Sequence, residues 1–495
     1  MKSASEELLE LIHGLTGAEK RYFRRFAQGV GGEGDRVYLR LYDFLASDPS
    51  GDDTAIRAHF AGEKFLHQLP VAKRYLQDLI LDALRAYDRG KSPSLELADR
   101  LNKIELLFRR RLYKGARRQV QQVRKLADAL DMPLWQLDIV RWDMRLVRAL
   151  GEADMPAQLT ALHAEEHRLH AAIAQEAALL DCYDQAFVLT TQHGSGDRAA
   201  IAATAEALGK AAALDTPIEA LTFEGKILLL YTQAWIGFLT GDATRFITAH
   251  RTMLGVWEAN EARLRLEPER YFRTLFAFLN SILDAGQPAE VTVTLAKLRR
   301  QLGRSKELER SNAHRVYHLE LLYFLRMERI DEAARAGQDL AEALSGAEGL
   351  TAAMRFGSTL NLATLHFCME RWADCSDWLK RLERLPEFKA RPELAFTAQL
   401  LRVVLALETG DFERAELMAR RLQQRHEAPD SRFHPEQALL GHLLAQAEGH
   451  DRRSEIHTAL HSDRVAALPF AIALQRWAAA RLHGRSIRAV MQARG

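Results

Sequence analysis

The chain is poor in cysteine, with three in 495 residues: Cys182, Cys368 and Cys375. An odd, sparse set builds no disulfide framework and points to a reducing compartment. An excess of one charge sign is lacking too. The formal net charge is +2, which gives the chain as a whole no pull toward nucleic acid or acidic partners. Long apolar runs are absent. The most apolar stretch, Ile227–Leu239 (ILLLYTQAWIGFL), is short and interrupted by Thr232 and Gln233, whereas a membrane span takes about 20 residues. Met1–Glu10 is acidic and has no apolar h-region, so no signal peptide is read there. A cytoplasmic protein, with Ile227–Leu239 as a buried helix and no membrane partner, is expected. Two-residue apolar alternation is missing, and nothing reads as a strand. There is no G-x-x-x-x-G-K-[ST] phosphate loop and no G-x-S-x-G nucleophile elbow. No cofactor is implied.

What is present is a repeat of short helix-breaking elbows. They run Leu112–Ala116, Gly151–Ala157, Gly196–Ile201, Gly241–Phe246, Gly286–Val291, Glu328–Ala333, Glu370–Cys375, Gly410–Ala415 and Gly449–Ser454. The last residues of successive elbows are 41, 44, 45, 45, 42, 42, 40 and 39 positions apart. A period of that size marks stacked helix pairs. Around Gly410 the local chemistry agrees. Gly410 suits a left-handed C-cap, Asp411 an N-cap, and Glu413 the first turn of the next helix. Ala415, Met418, Ala419 and Leu422 then share one face. A single globular core stops growing near roughly 250–300 residues, and a quasi-linear array avoids that limit.

The first 92 residues lie outside the period. Thr16-Gly17-Ala18-Glu19 is a capping box opening a helix at Glu19–Gln28. A glycine-rich link at Gly29–Gly34, a helix at Val37–Leu45, a turn at Pro49 and Gly51, and a helix from Pro70 to Tyr87 follow. Domains of 1–92 and 93–495 are expected.

Asn361-Leu362-Ala363-Thr364-Leu365, followed by the elbow before Trp372, resembles the first helix of a tetratricopeptide repeat, although the steps exceed that repeat's period of about 34. The N-terminal order L-T-x-x-E-K-R-Y-F-x-x-F-A (Leu15–Ala27) with Leu69–Tyr87 resembles bacterial proteins that join a short helical module to a tetratricopeptide-like array. The resemblance implies an all-α fold: a right-handed α-solenoid of about nine helix pairs behind a small helical module. It implies no active site. By analogy with such arrays, Asn361 and Arg402 on first helices are the candidate partner-binding residues.

Three constellations stand out. His163-Ala164-Glu165-Glu166-His167 spells H-x-x-E-H, in which two imidazoles one turn apart share a metal and the glutamate activates its water. His170 adds a third imidazole. The plainer reading is an Ala-, Glu- and His-rich helix inside a repeat, and no metal site is expected. His366, Cys368 and Cys375 suggest soft-metal ligation, but Cys375 occupies the small position after an elbow, so packing explains it.

The third is Arg100–Lys125, with ten basic residues against Glu105, a net +9. Arg110, Lys114, Arg117 and Arg118 fall near one another by helical period across the elbow at Gly115, and with Arg109 they are candidate partner-binding residues. The plainer reading is a solvated face balanced by Glu96 and Asp99. Upstream, Tyr22, Phe23 and Phe26 lie at helical spacing and are expected in the core. The expected function is a non-catalytic scaffold for a peptide or protein partner. A nucleic-acid-associated regulator using Arg100–Lys125 is the alternative, and a zinc hydrolase using His163, Glu166 and His167 the third reading.

Overall fold

The computed structural model describes residues 4–30, 35–48, 52–90, 92–193, 197–283, 288–304, 306–346, 350–386, 388, 392–426, 436–461 and 471–493. Among these, every regular element is a helix and none is a strand. Gly196 and residues 286–287, which open two of the elbows, the link at 31–34 and the turn at 49–51 lie outside the described residues. By its contacts the chain divides into two compact units, Met1–Pro268 and Glu269–Gly495.

The first unit opens with α1 (Ala4–Gly14), α2 (Gly17–Val30), α3 (Asp35–Ser47), α4 (Asp53–His59) and α5 (Leu69–Tyr87). The capping box forms. Glu19 accepts from the Thr16 amide at 2.7 Å, and Thr16 accepts from the Glu19 amide at 3.3 Å. Leu8, Ile12, Phe23, Leu41, Tyr42, Leu76 and Ile80 are buried together as a core of this segment's own, and Tyr22 and Phe26 pack against it.

There follow α6 (Pro93–Arg109), α7 (Tyr113–Ala129), α8 (Pro133–Leu150), α9 (Met155–Gln192), α10 (Arg198–Leu208), α11 (Phe223–Thr240), α12 (Ala243–Glu258) and α13 (Glu261–Leu266). Each described elbow between paired helices holds one left-handed residue: Arg111 (φ 58°), Gly151 (62°) and Gly241 (77°). That conformation ends a helix and frees the chain to turn back. After the Arg111 turn the small residue Ala116 is fully buried, whereas Ala157, which closes the Gly151 elbow, is exposed. The apolar stretch becomes α11, which buries Ile227, Leu229, Leu230, Ala234, Ile236 and Leu239. No helix among the described residues is long and apolar enough to cross a membrane.

One span departs from the period. Between the elbows at Gly151 and Gly196 a paired array has two helices, but the chain forms a single helix, α9, of 38 residues, about 57 Å at 1.5 Å per residue. Its first half packs on α8 through Leu169 and the α8 residues Leu137, Val140 and Met144. Its second half packs on α11 through Leu179, Cys182, Leu229 and Ile236. The corner between α7 and α8 also reaches forward. Asp131 (φ 49°) accepts from the Phe223 amide at 2.6 Å, and buried Arg263 donates to the Leu130 carbonyl at 2.8 Å.

The second unit begins within α14 (Pro268–Leu283). It continues through α15 (Pro288–Leu302), α16 (Lys306–Arg326), α17 (Ile330–Gly346), α18 (Ala352–Cys368), α19 (Trp372–Glu383), α20 (Pro392–Glu408), α21 (Phe412–His426), α22 (Glu436–Ala447), α23 (Arg453–Leu460), α24 (Ala471–Leu482) and α25 (Ile487–Gln492). Its elbows are left-handed at Glu328 (φ 59°), Glu370 (56°), Gly410 (75°) and Gly449 (94°), and Gly484 (64°) adds one more between α24 and α25. Ala333, Cys375 and Ala415, the small residues after three of these turns, are fully buried.

This unit is not a stack in which each pair meets only its neighbours. Helix α24 packs on α18, and α25 on α17. Arg476 of α24 forms a two-point pair with Glu328 (Nε–Oε2 2.9 Å), and both side chains are nearly buried. Arg481 pairs with Glu408 (2.5 Å) and Glu370 (3.1 Å), and Trp477 donates to Glu408 at 2.6 Å. A non-glycine residue in the left-handed region costs about 1–2 kcal/mol. Two of the elbows carry that cost and hold glutamates that the last long helix grips.

Candidate interaction surface

The basic run occupies α6, its elbow and α7, and the fold sorts its charges into two groups. One group is neutralised. Arg100 meets Glu96 (2.7 Å), Lys103 meets Asp99 (3.0 Å), and Arg109 meets Glu105 (2.5 Å), each one turn apart. Arg117 reaches Glu152 at the next elbow (2.7 Å), and Arg124 holds both Asp143 (2.8 Å) and Glu165 (2.6 Å). The Arg117 guanidinium holds the Glu152 carboxyl below the usual carboxylate range.

The other group is not neutralised. Arg110, Arg111, Lys114, Arg118 and Lys125 are exposed, and among the described residues none has an acidic partner. Arg110 donates only to the Leu106 carbonyl, at 3.1 Å. Arg111 takes the left-handed position of the elbow, so the turn itself presents cations. Leu106 and Leu112, each 53% exposed, flank them. The elbow is therefore both cationic and apolar. Half of the sequence-level charge anomaly dissolves into intramolecular pairs, and four of the remaining five cations, Arg110, Arg111, Lys114 and Arg118, gather at the elbow, with Lys125 further along α7.

Asn361, expected on an open face, is 2% exposed. Its amide nitrogen lies 3.4 Å from His318 Nδ1, and the Ser358 hydroxyl lies 3.0 Å from the same atom. Burial and the neighbouring His314 lower the His318 pKa to about 4. The motif thus places Asn361 in the packing between α16 and α18. Arg402 is largely covered, with Nε 2.9 Å from Glu383 Oε1. It lines a hollow of about 380 Å³ with Trp372, Ser376, Thr409, Arg414 and Met418.

In the H-x-x-E-H segment His163, His167 and His170 are exposed along α9. Glu166 is engaged by Arg141 at 3.2 Å, and by His163 at 3.5 Å. Arg141, with His163, holds its carboxyl below the ordinary range. Among the described residues no group of three or more His, Cys, Asp or Glu side chains is placed to hold a metal ion. The three cysteines are free and buried, and burial pushes the thiols of Cys368 and Cys375 up to about 12. Such thiols are packing groups rather than ligands or nucleophiles.

A second surface was not singled out by sequence. On the second half of α9 and on α11, Tyr183 and Phe187 pack as tilted rings against Trp235, at 4.6 and 5.3 Å between ring centroids. Leu180, Phe187, Val188 and Phe238 are 46–50% exposed around them. Its signals were the i, i+4 aromatic pairs Tyr183/Phe187 and Tyr231/Trp235.

No family model matches this sequence, and no curated protein matches it.

Proposed function

We propose that the protein is a non-catalytic, cytoplasmic interaction scaffold. Its helix pairs belong to a right-handed, tetratricopeptide-like α-solenoid of about nine pairs behind a helical N-terminal module. Its docking surface is the elbow between α6 and α7. The observation that carries this reading is the set of four exposed cations, Arg110, Arg111, Lys114 and Arg118, without acidic partners among the described residues, flanked by exposed Leu106 and Leu112. Like charges crowded on one turn repel and disfavour the compact state. Exposed leucines beside them add apolar surface that a partner would cover. An acidic protein or peptide meets both conditions. It would be steered by charge and anchored by the leucines.

Nucleic acid is the second reading, supported by the same charge. The rings of the N-terminal module add nothing to it, since Phe23 is buried and Tyr22 and Phe26 pack on that core. The test uses the full chain and a variant with Arg110→Glu, Lys114→Glu and Arg118→Glu, each immobilised against nuclease-treated extract. A protein captured by the parent at low salt, and lost from the variant, is the expected result. A labelled oligonucleotide retarded by the parent alone would favour the second reading. Identical capture by both proteins would remove the elbow as the docking surface.

A further inference from the structure

The face formed by the second half of α9 and by α11 is unlike the rest of the first unit. No Lys or Arg occurs between Arg168 and Arg198, while Asp181 and Asp184 stand exposed on the stripe that carries Leu180, Phe187 and Val188. Spacings of three and four residues put these on one side of α9. Beside them Trp235 of α11, a partly exposed residue, packs against the tilted rings of Tyr183 and Phe187. Carboxylates around partly exposed indole and phenyl faces are a receptor for guanidinium and ammonium groups on an apolar carrier. The carboxylates supply the charge, and the ring faces supply cation–π contact.

The α6–α7 elbow has the opposite endowment: Arg110, Arg111, Lys114 and Arg118, with Leu106 and Leu112 exposed among them. The two surfaces lie on different helices of the same unit. One is acidic and aromatic, the other basic and aliphatic. We propose that a second copy of this chain seats its α6–α7 elbow on the α9–α11 face, so that the protein associates head to tail.

This rests on the reading of the elbow as a docking surface. A two-fold contact of the aromatic face with itself is disfavoured, because it would bring Asp181 and Asp184 of both copies together without cations. A head-to-tail contact uses different patches on the two partners, and leaves one elbow and one face free for further copies.

The test is sedimentation velocity on the full chain over two decades of concentration, at low and high salt. The parent is expected to associate with rising concentration, and less so in high salt. Two variants block opposite ends: Asp181→Lys with Asp184→Lys, and Arg110→Glu with Lys114→Glu and Arg118→Glu. Each alone is expected to be monomeric with an unchanged helical circular-dichroism spectrum. Mixed, they should associate again, since the intact elbow of one meets the intact face of the other and the reversed elbow meets the reversed face, each pair with opposite charges. A parent that stays monomeric at every concentration overturns the proposal. So does association that survives elbow reversal, or a mixture that fails to pair. The aspartate variant keeps its elbow, so its capture of an outside partner reports on the scaffold reading separately.

Discussion

Replacing Gly237 by alanine sets two effects against each other, and the structure decides between them. Gly237 lies inside α11, where alanine is favoured over glycine by about 1 kcal/mol through backbone entropy alone. A Cβ there, however, would sit 2.7 Å from the Phe246 nitrogen, 3.0 Å from the Asp242 carbonyl oxygen and 3.2 Å from the Phe246 Cα. Phe246 donates to that same Asp242 carbonyl at 3.1 Å, in the first turn of α12. The methyl group would press on both partners of a helix-opening hydrogen bond. Neither is the end of a flexible side chain, so α12 must move as a body. Overpacking of this kind costs about 1–3 kcal/mol, and a weakened backbone bond adds about 1 kcal/mol. The net expectation is destabilisation by about 1–3 kcal/mol. Gly255, in α12, has nothing within 4 Å of its would-be Cβ. There only the entropy gain acts, and Gly255→Ala should stabilise by up to about 1 kcal/mol. Thermal unfolding followed by circular dichroism reads both, at roughly 2–4 °C per kcal/mol for a unit of this size. A higher melting temperature for Gly237→Ala, or equal shifts for the two variants, would refute the close approach of α11 and α12.

Two further outcomes follow from buried charge. Arg476→Met leaves Glu328 nearly buried without its partner, and should destabilise by about 3–5 kcal/mol. Adding Glu328→Gly removes the orphaned carboxylate and relaxes the left-handed elbow, so the double variant should recover most of the loss in urea unfolding. For His318 the folded pKa of about 4 lies below the ordinary value of 6.5. The unfolded chain therefore binds more protons between those values, and stability falls as pH drops through that window. The difference amounts to about 3 kcal/mol by pH 4. His318→Asn should flatten this acid limb of the urea midpoint against pH, and an unchanged limb would count against the buried imidazole as its source.

The elbows were legible because a chain reversal needs a left-handed residue and a small one after it. Even Arg111, Glu328 and Glu370, which are not glycine, kept the surrounding pattern. The continuity of α9 was equally available, since no Gly or Pro occurs between Pro156 and Gly194. A strict period obscured that signal. Asn361 was misleading for a different reason. Its partner His318 lies 43 residues earlier, one step of the repeat, and only the stacked helices bring the two together. The same holds for the basic run, whose outcome depended on Glu152, Asp143 and Glu165 reaching back from later helices. The aromatic face was written in two short i, i+4 pairs, but exposure is decided by which helices fail to cover it, and no local pattern states that.

The grip of α24 on the elbows of α16 and α18 also governs the order in which the second unit can be completed. Arg476 and Glu328 are 148 residues apart in sequence, and Arg488 and Asp331 are 157 apart. Contacts of that separation close late, because the intervening chain must first be ordered. During synthesis the earlier helix pairs emerge with two carboxylates on left-handed turns and no cation to meet them. The core that runs from Leu321 to Met491 is sealed only when α24 and α25 arrive. A ribosome that stops before Ala471 releases a chain whose turns remain strained and whose apolar seam stays open to water, a form suited to recognition by chaperones and proteases.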